Sequence, residues 1–474
     1  MIRNGAAYLI ARLVPGIAGV LTTSLLTRLL PPDSYGRYGV AVLVMSFGST
    51  IGFEWLGLSL MRFYERNRDD PRTVPTFMCL YAAATLLAVV LGGGTALLVP
   101  FPAGIPPMVL AGVAMACAFS WFELLARLEV ASFHPLRFLR LNLLRAALLT
   151  GGTLGAAWLT RDPLWTAAGN CAALLAALLP GLRRLRPAGF DPALARSAVR
   201  FGAPFALSLL LAASFNSGVR ALVGVLTDET QLGFFTVAYA LSFNVLAVLS
   251  SALGAATFPL AVRAWEQGDR AALRAQLESN LSLVLATLVP AALGLALTAG
   301  DLAAQVTAAS YRASVAALVP PMAVTVLFAG FRGTYLDHAF QLGRTPRRQV
   351  AVSGAATAAA LLGTLALVPV LGAVGAPVAT AAAALLSCVH AVRAGRSACP
   401  MPLPPRPFAQ VGVAALALAL VVEVVPPGHP WSLYARAAAG ALAYAAAALA
   451  VDLLGSRGKL AARLRARTSA LPAG

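Results

Sequence analysis

Long apolar runs broken by short polar turns fill this chain from end to end. The first two, within residues 5–64, read GAAYLIARLVPGIAGVLTTSLLTRLL and YGVAVLVMSFGSTIGFEWLGLSLMRFY, joined by PPDSYGR. Each holds about 25 residues, enough at about 1.5 Å per residue to cross a hydrocarbon layer of about 30 Å as a helix. The pair therefore predicts a membrane-crossing hairpin. The same pattern predicts fourteen spans, at about 5–30, 37–61, 75–99, 106–128, 137–160, 164–182, 202–226, 231–257, 279–300, 315–340, 349–369, 374–392, 407–425 and 431–454. A segment at 301–314 is polar and mixed, and is expected to form a short helix outside the membrane before the tenth span. The expected fold is all-α and polytopic.

The pattern restarts. A gapless shift of 197 residues lays Gly5-Ala6 on Gly202-Ala203, and Gly36, Val40 and Ala41 on Gly233, Val237 and Ala238. The simplest plan is two six-helix lobes, 1–187 and 188–398, followed by a helical hairpin and basic tail at 399–474. The lobe boundary falls near Pro187, in the linker RRLRPAGFDPALARSAVR, whose second half is amphipathic and expected to lie along the lipid surface. CPMPLPPRP, at 399–407, favours extended geometry and sets off the last hairpin.

Composition agrees with the pattern: 59% of residues are hydrophobic, 11% are charged and mean hydropathy is +0.79. A net charge of +18 would suggest nucleic acid in a soluble protein, but its placement argues otherwise. Alternate connections, starting from the N-terminus, hold 27 of the 36 Lys and Arg residues. The positive-inside rule then puts both termini in the cytoplasm, and nucleic acid is not an expected partner. The five cysteines and four histidines show no zinc spacing, so no metal and no cofactor are expected. Alanine and glycine saturate the spans, as close helix packing in lipid requires.

Charges inside the spans carry the chemistry, because each is costly there and calls for a partner or a cavity. Arg12 and Glu54 face the choice of pairing within the first hairpin, and Glu123 and Arg127 stand at i,i+4 in the fourth span. Arg332 has Asp337 five residues away, while Arg28 is placed to snorkel at the outer end of the first span. Arg145 and Arg220 have no carboxylate at helical spacing. A cavity lined by such arginines favours an anion, and guanidinium forks suit phosphate oxygens.

The opening NGAAYLIARL…LLTRLLPPDSYGRYGVAVLV, the corner LVPVLGAVGAPVAT at 367–380 and SYRASVAALVPPMAV at 310–324 resemble the polysaccharide-export flippases (O-antigen translocase type). These belong to the multidrug/oligosaccharidyl-lipid/polysaccharide (MOP) superfamily. The resemblance spans nearly the whole chain; it departs before Pro369, where GTLALVP lacks the Asn often found in the family. It implies two lobes with a central cavity opening alternately to each side, and a substrate of undecaprenyl-pyrophosphate-linked oligosaccharide moved outward. On this resemblance Arg12, Arg145, Arg220 and Arg332 would bind the headgroup, and Glu54, Glu123 or Asp337 would carry a coupling proton or sodium ion. The last hairpin would offer a groove for the polyprenyl tail. It further implies a bacterial inner-membrane transporter rather than an enzyme, with membrane lipids, a polysaccharide polymerase and glycosyltransferases as partners. A multidrug exporter of the same superfamily is the nearest alternative, disfavoured by the arginine excess. A membrane polymerase or glycosyltransferase is disfavoured by outer connections no longer than about fifteen residues, too short to form a sugar-positioning domain of the usual size.

Overall fold

Proline and acidic caps set where the helices begin. The computed structural model describes residues 2–185, 189–429 and 431–455, except for the side chains of residues 2–10, 12, 13, 244, 245, 247, 248 and 251. The boundary at Pro187 and the basic tail beyond residue 455 lie outside the described residues. Among the described residues all regular structure is helical. The first nine helices are α1 (Ile2–Leu29), α2 (Pro32–Phe63), α3 (Thr73–Leu98), α4 (Ile105–Ala131), α5 (Pro135–Thr160), α6 (Pro163–Leu178), α7 (Pro192–Ala213), α8 (Val219–Leu226) and α9 (Glu229–Glu266). Then follow α10 (Arg270–Leu297), α11 (Ala299–Val306), α12 (Arg312–Phe331), α13 (His338–Leu342), α14 (Pro346–Leu371), α15 (Gly375–Gly395), α16 (Pro405–Val424) and α17 (Ser432–Ala450).

Each predicted span falls on helix, and α11 is the short helix expected near 301–314. Among the described residues ten helical stretches are long and apolar enough to cross a membrane, and one of them, 346–395, holds two predicted spans. The protein is a multi-pass membrane protein. On α3, Leu86, Leu87, Val90 and Leu91 are each 58–67% exposed, a surface that water would not tolerate but lipid does.

Two local differences from expectation have clear causes. The first turn is shorter than PPDSYGR suggests: α2 starts at Pro32, because proline's fixed φ and missing N–H suit a first helical position. Residues 192–200 do not lie apart as a surface helix. They form the first turns of α7, capped by Asp191, and their apolar face, with Leu194, Ala195 and Ala198, is buried in protein. Ser59 Oγ on α2 donates to the Ala198 carbonyl at 2.9 Å.

The chain forms two compact units. The first comprises Met1–Asn244, Thr307–Tyr311 and Ser353–Thr380. Within it α2 packs on α4, α5 on both α1 and α6, and α7 on α2. Phe53, Leu56, Leu60, Phe77, Tyr81, Leu124 and Leu128 form its core, with Leu185 and Leu194 from the ends of the linker. The second unit comprises Val245–Val306, Arg312–Val352 and Ala381–Gly474. There α10 packs on α12 and α16, and α16 pairs with α17. The proline-rich connector is fixed by Tyr335, whose hydroxyl donates to the Pro402 carbonyl at 2.6 Å.

Asp301 of α11 ties the final hairpin into this second unit. It accepts from Arg436 Nη1 at 2.6 Å, Ser432 Oγ at 2.5 Å and the Gly428 N–H at 3.3 Å. Arg436 also donates from Nε to the Val422 carbonyl, so both buried charges are met by several bonds.

Candidate functional site

Three helices of the first unit bring four charges together inside apolar spans. Glu54 comes from α2, Glu123 and Arg127 from successive turns of α4, and Arg145 from the middle of α5. Arg127 Nη2 donates to Glu54 Oε1 at 2.6 Å and Nη1 to the Glu54 carbonyl at 3.3 Å. Arg145 Nη1 donates to Glu123 Oε1 at 2.9 Å, and the i,i+4 pair of Arg127 with Glu123 stands at 3.9 Å. The Arg145 guanidinium lies 4.8 Å from the centre of the Phe122 ring and 5.7 Å from that of Phe119. Both arginine side chains are over four-fifths buried, which keeps these bonds from being diluted by water.

The cluster borders a cleft lined by Ser49, Phe53, Glu54, Tyr81, Phe119, Ser120, Glu123 and Arg127. Its free volume of about 10 Å³ is room for about one water molecule. Glu54 is held by Arg127; the side chain of Arg12, the partner expected from its own hairpin, lies outside the described residues. Arg145 lacks a carboxylate at helical spacing, as its own helix indicates, and finds Glu123 across the α4–α5 contact instead.

Gly57 was not singled out in the sequence and shapes this site. A Cβ placed there would lie 1.7 Å from Arg127 Nη1 and 2.4 Å from its Cζ. The glycine one turn after Glu54 is the notch that admits the guanidinium. The available signal was its i+3 spacing from Glu54, which is common enough in a glycine-rich span to pass unnoticed.

Arg220 is set differently. A π-helical turn, Ser214–Gly218, separates α7 from α8 and immediately precedes it; such turns recur at functional sites. The Arg220 side chain is buried, with its guanidinium 4.6 Å from the centre of the Tyr239 ring and Nη2 3.4 Å from Ser217 Oγ. Its Nε has no hydrogen-bond partner, and no carboxylate pairs with it among the described residues. Arg220 therefore sits in an apolar span as a buried charge with no counter-charge among the described residues.

In the second unit a second π-helical turn, Arg332–Leu336, places Arg332 Nε 3.6 Å from Asp337 Oδ2. The Asp337 N–H closes this turn on the Arg332 carbonyl at 2.8 Å. His338 is buried against Phe258, ring centres 4.8 Å apart. Arg28 is exposed. Among the described residues no three His, Cys, Asp or Glu side chains form a metal-binding group.

Residues 171–316 match the sequence profile of the family described as "Polysaccharide biosynthesis protein". No curated protein matches the chain in sequence. Among solved structures, "Lipid II flippase MurJ, inward closed conformation" superposes with a TM-score of 0.75 at 12% identity, over 97% of this chain and 100% of that one. An "Inward-facing conformation of a multidrug resistance MATE family transporter of the MOP superfamily" gives 0.60 at 12% identity, over 82% and 97%. A "MOP superfamily transporter from Pyrococcus furiosus", described as having a binding pocket of reversed polarity, gives 0.51 at 11% identity, over 83% and 95%. The chain shares the fold of these solved structures. Its stretch 171–316 is similar in sequence to a polysaccharide-biosynthesis family, in line with the resemblance of its opening and corner segments.

Proposed function

We propose that this protein is a flippase of the cytoplasmic membrane, with both termini in the cytoplasm. It moves undecaprenyl-pyrophosphate-linked oligosaccharide units to the outer leaflet by alternating access, ahead of cell-surface polysaccharide assembly. The observation that carries this reading is Arg220, a buried guanidinium without a carboxylate among the described residues, beside a π-helical turn. A pyrophosphate supplies the negative oxygens that such a group lacks. Arg12, on the first helix of the other repeat, is proposed to contribute to the same headgroup site. Arg145 and Arg332 would reach a phosphate on leaving Glu123 and Asp337, and the freed carboxylates, with Glu54, are the coupling candidates. The six-helix lobes 1–187 and 188–398 are the proposed moving parts, and the lipid-facing side of α16, with Leu416 and Leu420 both 60% exposed, is offered to the polyprenyl tail.

A multidrug exporter is the second reading, favoured by one observation: the cleft of the first unit has two carboxylates and three aromatic rings. The two arginines that neutralise those carboxylates weigh against a cationic substrate. The deciding experiment deletes the protein from its source cells and follows lipid-linked saccharides by mass spectrometry, with sidedness labelling of the sugar. A pyrophosphate-linked saccharide trapped on the cytoplasmic face supports the flippase. Unchanged lipids with raised sensitivity to cationic drugs hand the case to the exporter.

A further inference from the structure

Five arginines share one corner of the second unit: Arg344, Arg347 and Arg348 where α13 turns into α14, and Arg393 and Arg396 where α15 ends. Two contacts fasten these ends to each other. Arg348 Nη1 donates to Ser397 Oγ, and a Cβ on Gly343 would lie 2.7 Å from that of Ala398. The end of α15 also rests on α13, where a Cβ on Gly395 would lie 3.0 Å from that of Ala339. All five arginines are exposed, and none pairs with a carboxylate among the described residues. The sequence explains the lack: no Asp or Glu occurs between Asp337 and Glu423. The basic loop 62–72 is different, since it mixes four arginines with Glu65, Asp69 and Asp70 and pairs Arg72 with Asp70 at 3.0 Å.

A patch of one sign repels itself, and its setting adds to the repulsion. Arg347 and Arg348 stand in the first turn of α14, where the positive pole of the helix disfavours a cation. The Thr345 hydroxyl, just ahead of that turn, is buried without a hydrogen-bond partner and caps nothing. Charge so arranged calls for an anion, and guanidinium forks match phosphate oxygens. The source of the phosphate follows from position. Helices α14 and α15 are the two arms of the apolar stretch 346–395, so both sets of arginines stand at the ends of spans, where lipid headgroups lie. The connector that follows exposes Leu403 and Phe408, apolar surface for acyl chains.

We infer that this corner is a binding site for an anionic phospholipid, its phosphate held between the start of α14 and the end of α15. The site is open as it stands, so the lipid docks without any helix moving.

The test uses the full-length protein in phosphatidylcholine nanodiscs that hold a little phosphatidylglycerol with a photoreactive headgroup, the cross-links being mapped by mass spectrometry. Cross-links within 343–348 and 393–398 are expected, displaced by unlabelled phosphatidylglycerol and untouched by inorganic pyrophosphate in the buffer. Replacing both Arg347 and Arg348 by Gln should weaken the affinity read from displacement by roughly 30-fold, the effect of two basic groups at a membrane surface. Replacing Arg393 and Arg396 by Gln should do the same, and keeps the question open to test if the first variant folds poorly. The control replaces Arg66 and Arg68 by Gln, which removes equal charge from the loop 62–72, and should leave the labelling as it was. An equal loss in that control would make the patch part of a general positive field and overturn the site. Equal labelling of the same segments by a phosphatidylcholine probe would overturn it too, as would displacement by pyrophosphate, which would make the ligand a soluble phosphate. The inference uses neither Arg220 nor the transported substrate, so it stands or falls apart from the flippase reading.

Discussion

Gly36 and Gly233 occupy equivalent places in one reciprocal helix crossing. A Cβ on Gly36 would lie 1.7 Å from the carbonyl oxygen of Glu229, and one on Gly233 would lie 2.2 Å from that of Pro32. Pro32 and Glu229, like Gly36 and Gly233, are counterparts at the 197-residue offset of the sequence repeat. One turn on, a Cβ on Gly39 would come within 3.0 Å of Thr236 Oγ1, again its own counterpart. Each helix thus meets the other through the same surface, as partners do across a twofold axis. This contact follows the 197-residue offset read in the sequence.

Backbone fills the space opposite both glycines, so neither tolerates a side chain without the helices moving apart. Gly36→Ala and Gly233→Ala are each expected to cost about 1–3 kcal/mol, the usual range for overpacking. The double variant should cost less than the sum, because the first separation makes room for the second. Thermal midpoints of the purified protein check this, with Gly93→Ala, which meets nothing within 4 Å, as control.

At Gly57 the obstruction is the mobile end of a side chain, and the outcome differs. Gly57→Ala should leave the thermal midpoint within a few degrees of the parent, a change of about 1 kcal/mol at most. Transport should nevertheless fall to the level of Arg127→Gln, since the new methyl group drives the guanidinium off Glu54. Gly52→Ala, on the same helix and facing open space, should transport normally.

The buried pair of Asp301 and Arg436 predicts an acid limb in stability. Burial pushes the Asp301 carboxyl upward, but hydrogen bonds from Ser432, Arg436 and the Gly428 N–H outweigh it and leave the group below the ordinary carboxylate value. A depressed folded value stabilises the protein above the unfolded value, about 3.9. That contribution is lost as pH falls through the folded value. The thermal midpoint should therefore drop below about pH 4, and Asp301→Asn should flatten that drop while lowering the midpoint at pH 7. Arg436→Met, which strands the carboxylate, should cost about 3–5 kcal/mol.

Sequence and structure agree where the signal is local. Apolar runs placed the helices, and the i,i+4 pair of Glu123 and Arg127 could be read directly. The cap that Asp162 provides to the Leu164 and Trp165 N–H groups was not singled out in the sequence. Pairings across helices were not legible. Glu54 and Arg127 are 73 residues apart, and Asp301 and Arg436 are 135 apart. Arg145 looked unpartnered because a sequence shows spacing along one helix and not the neighbour it packs on. The π-helical turns beside Arg220 and Arg332 have no pattern of their own in an Ala- and Leu-rich span. The apolar face of 192–200 was legible as a face, but whether it covers lipid or protein depends on where α2 lies.

Arg220 gives the sharpest test of the headgroup assignment. If its charge serves a phosphate, Arg220→Ala should abolish outward movement of the lipid-linked saccharide while expression and membrane insertion persist. Removing an unneutralised buried charge should not destabilise the fold and should raise the thermal midpoint, because the desolvation cost disappears. Arg220→Lys should restore little, since a single ammonium cannot reproduce the planar fork that grips two phosphate oxygens. If instead the residue is structural, held by the Tyr239 ring, Tyr239→Leu and Arg220→Ala should both lower the midpoint and transport should fall with the amount of folded protein. Normal transport by folded Arg220→Ala would remove the residue from the site.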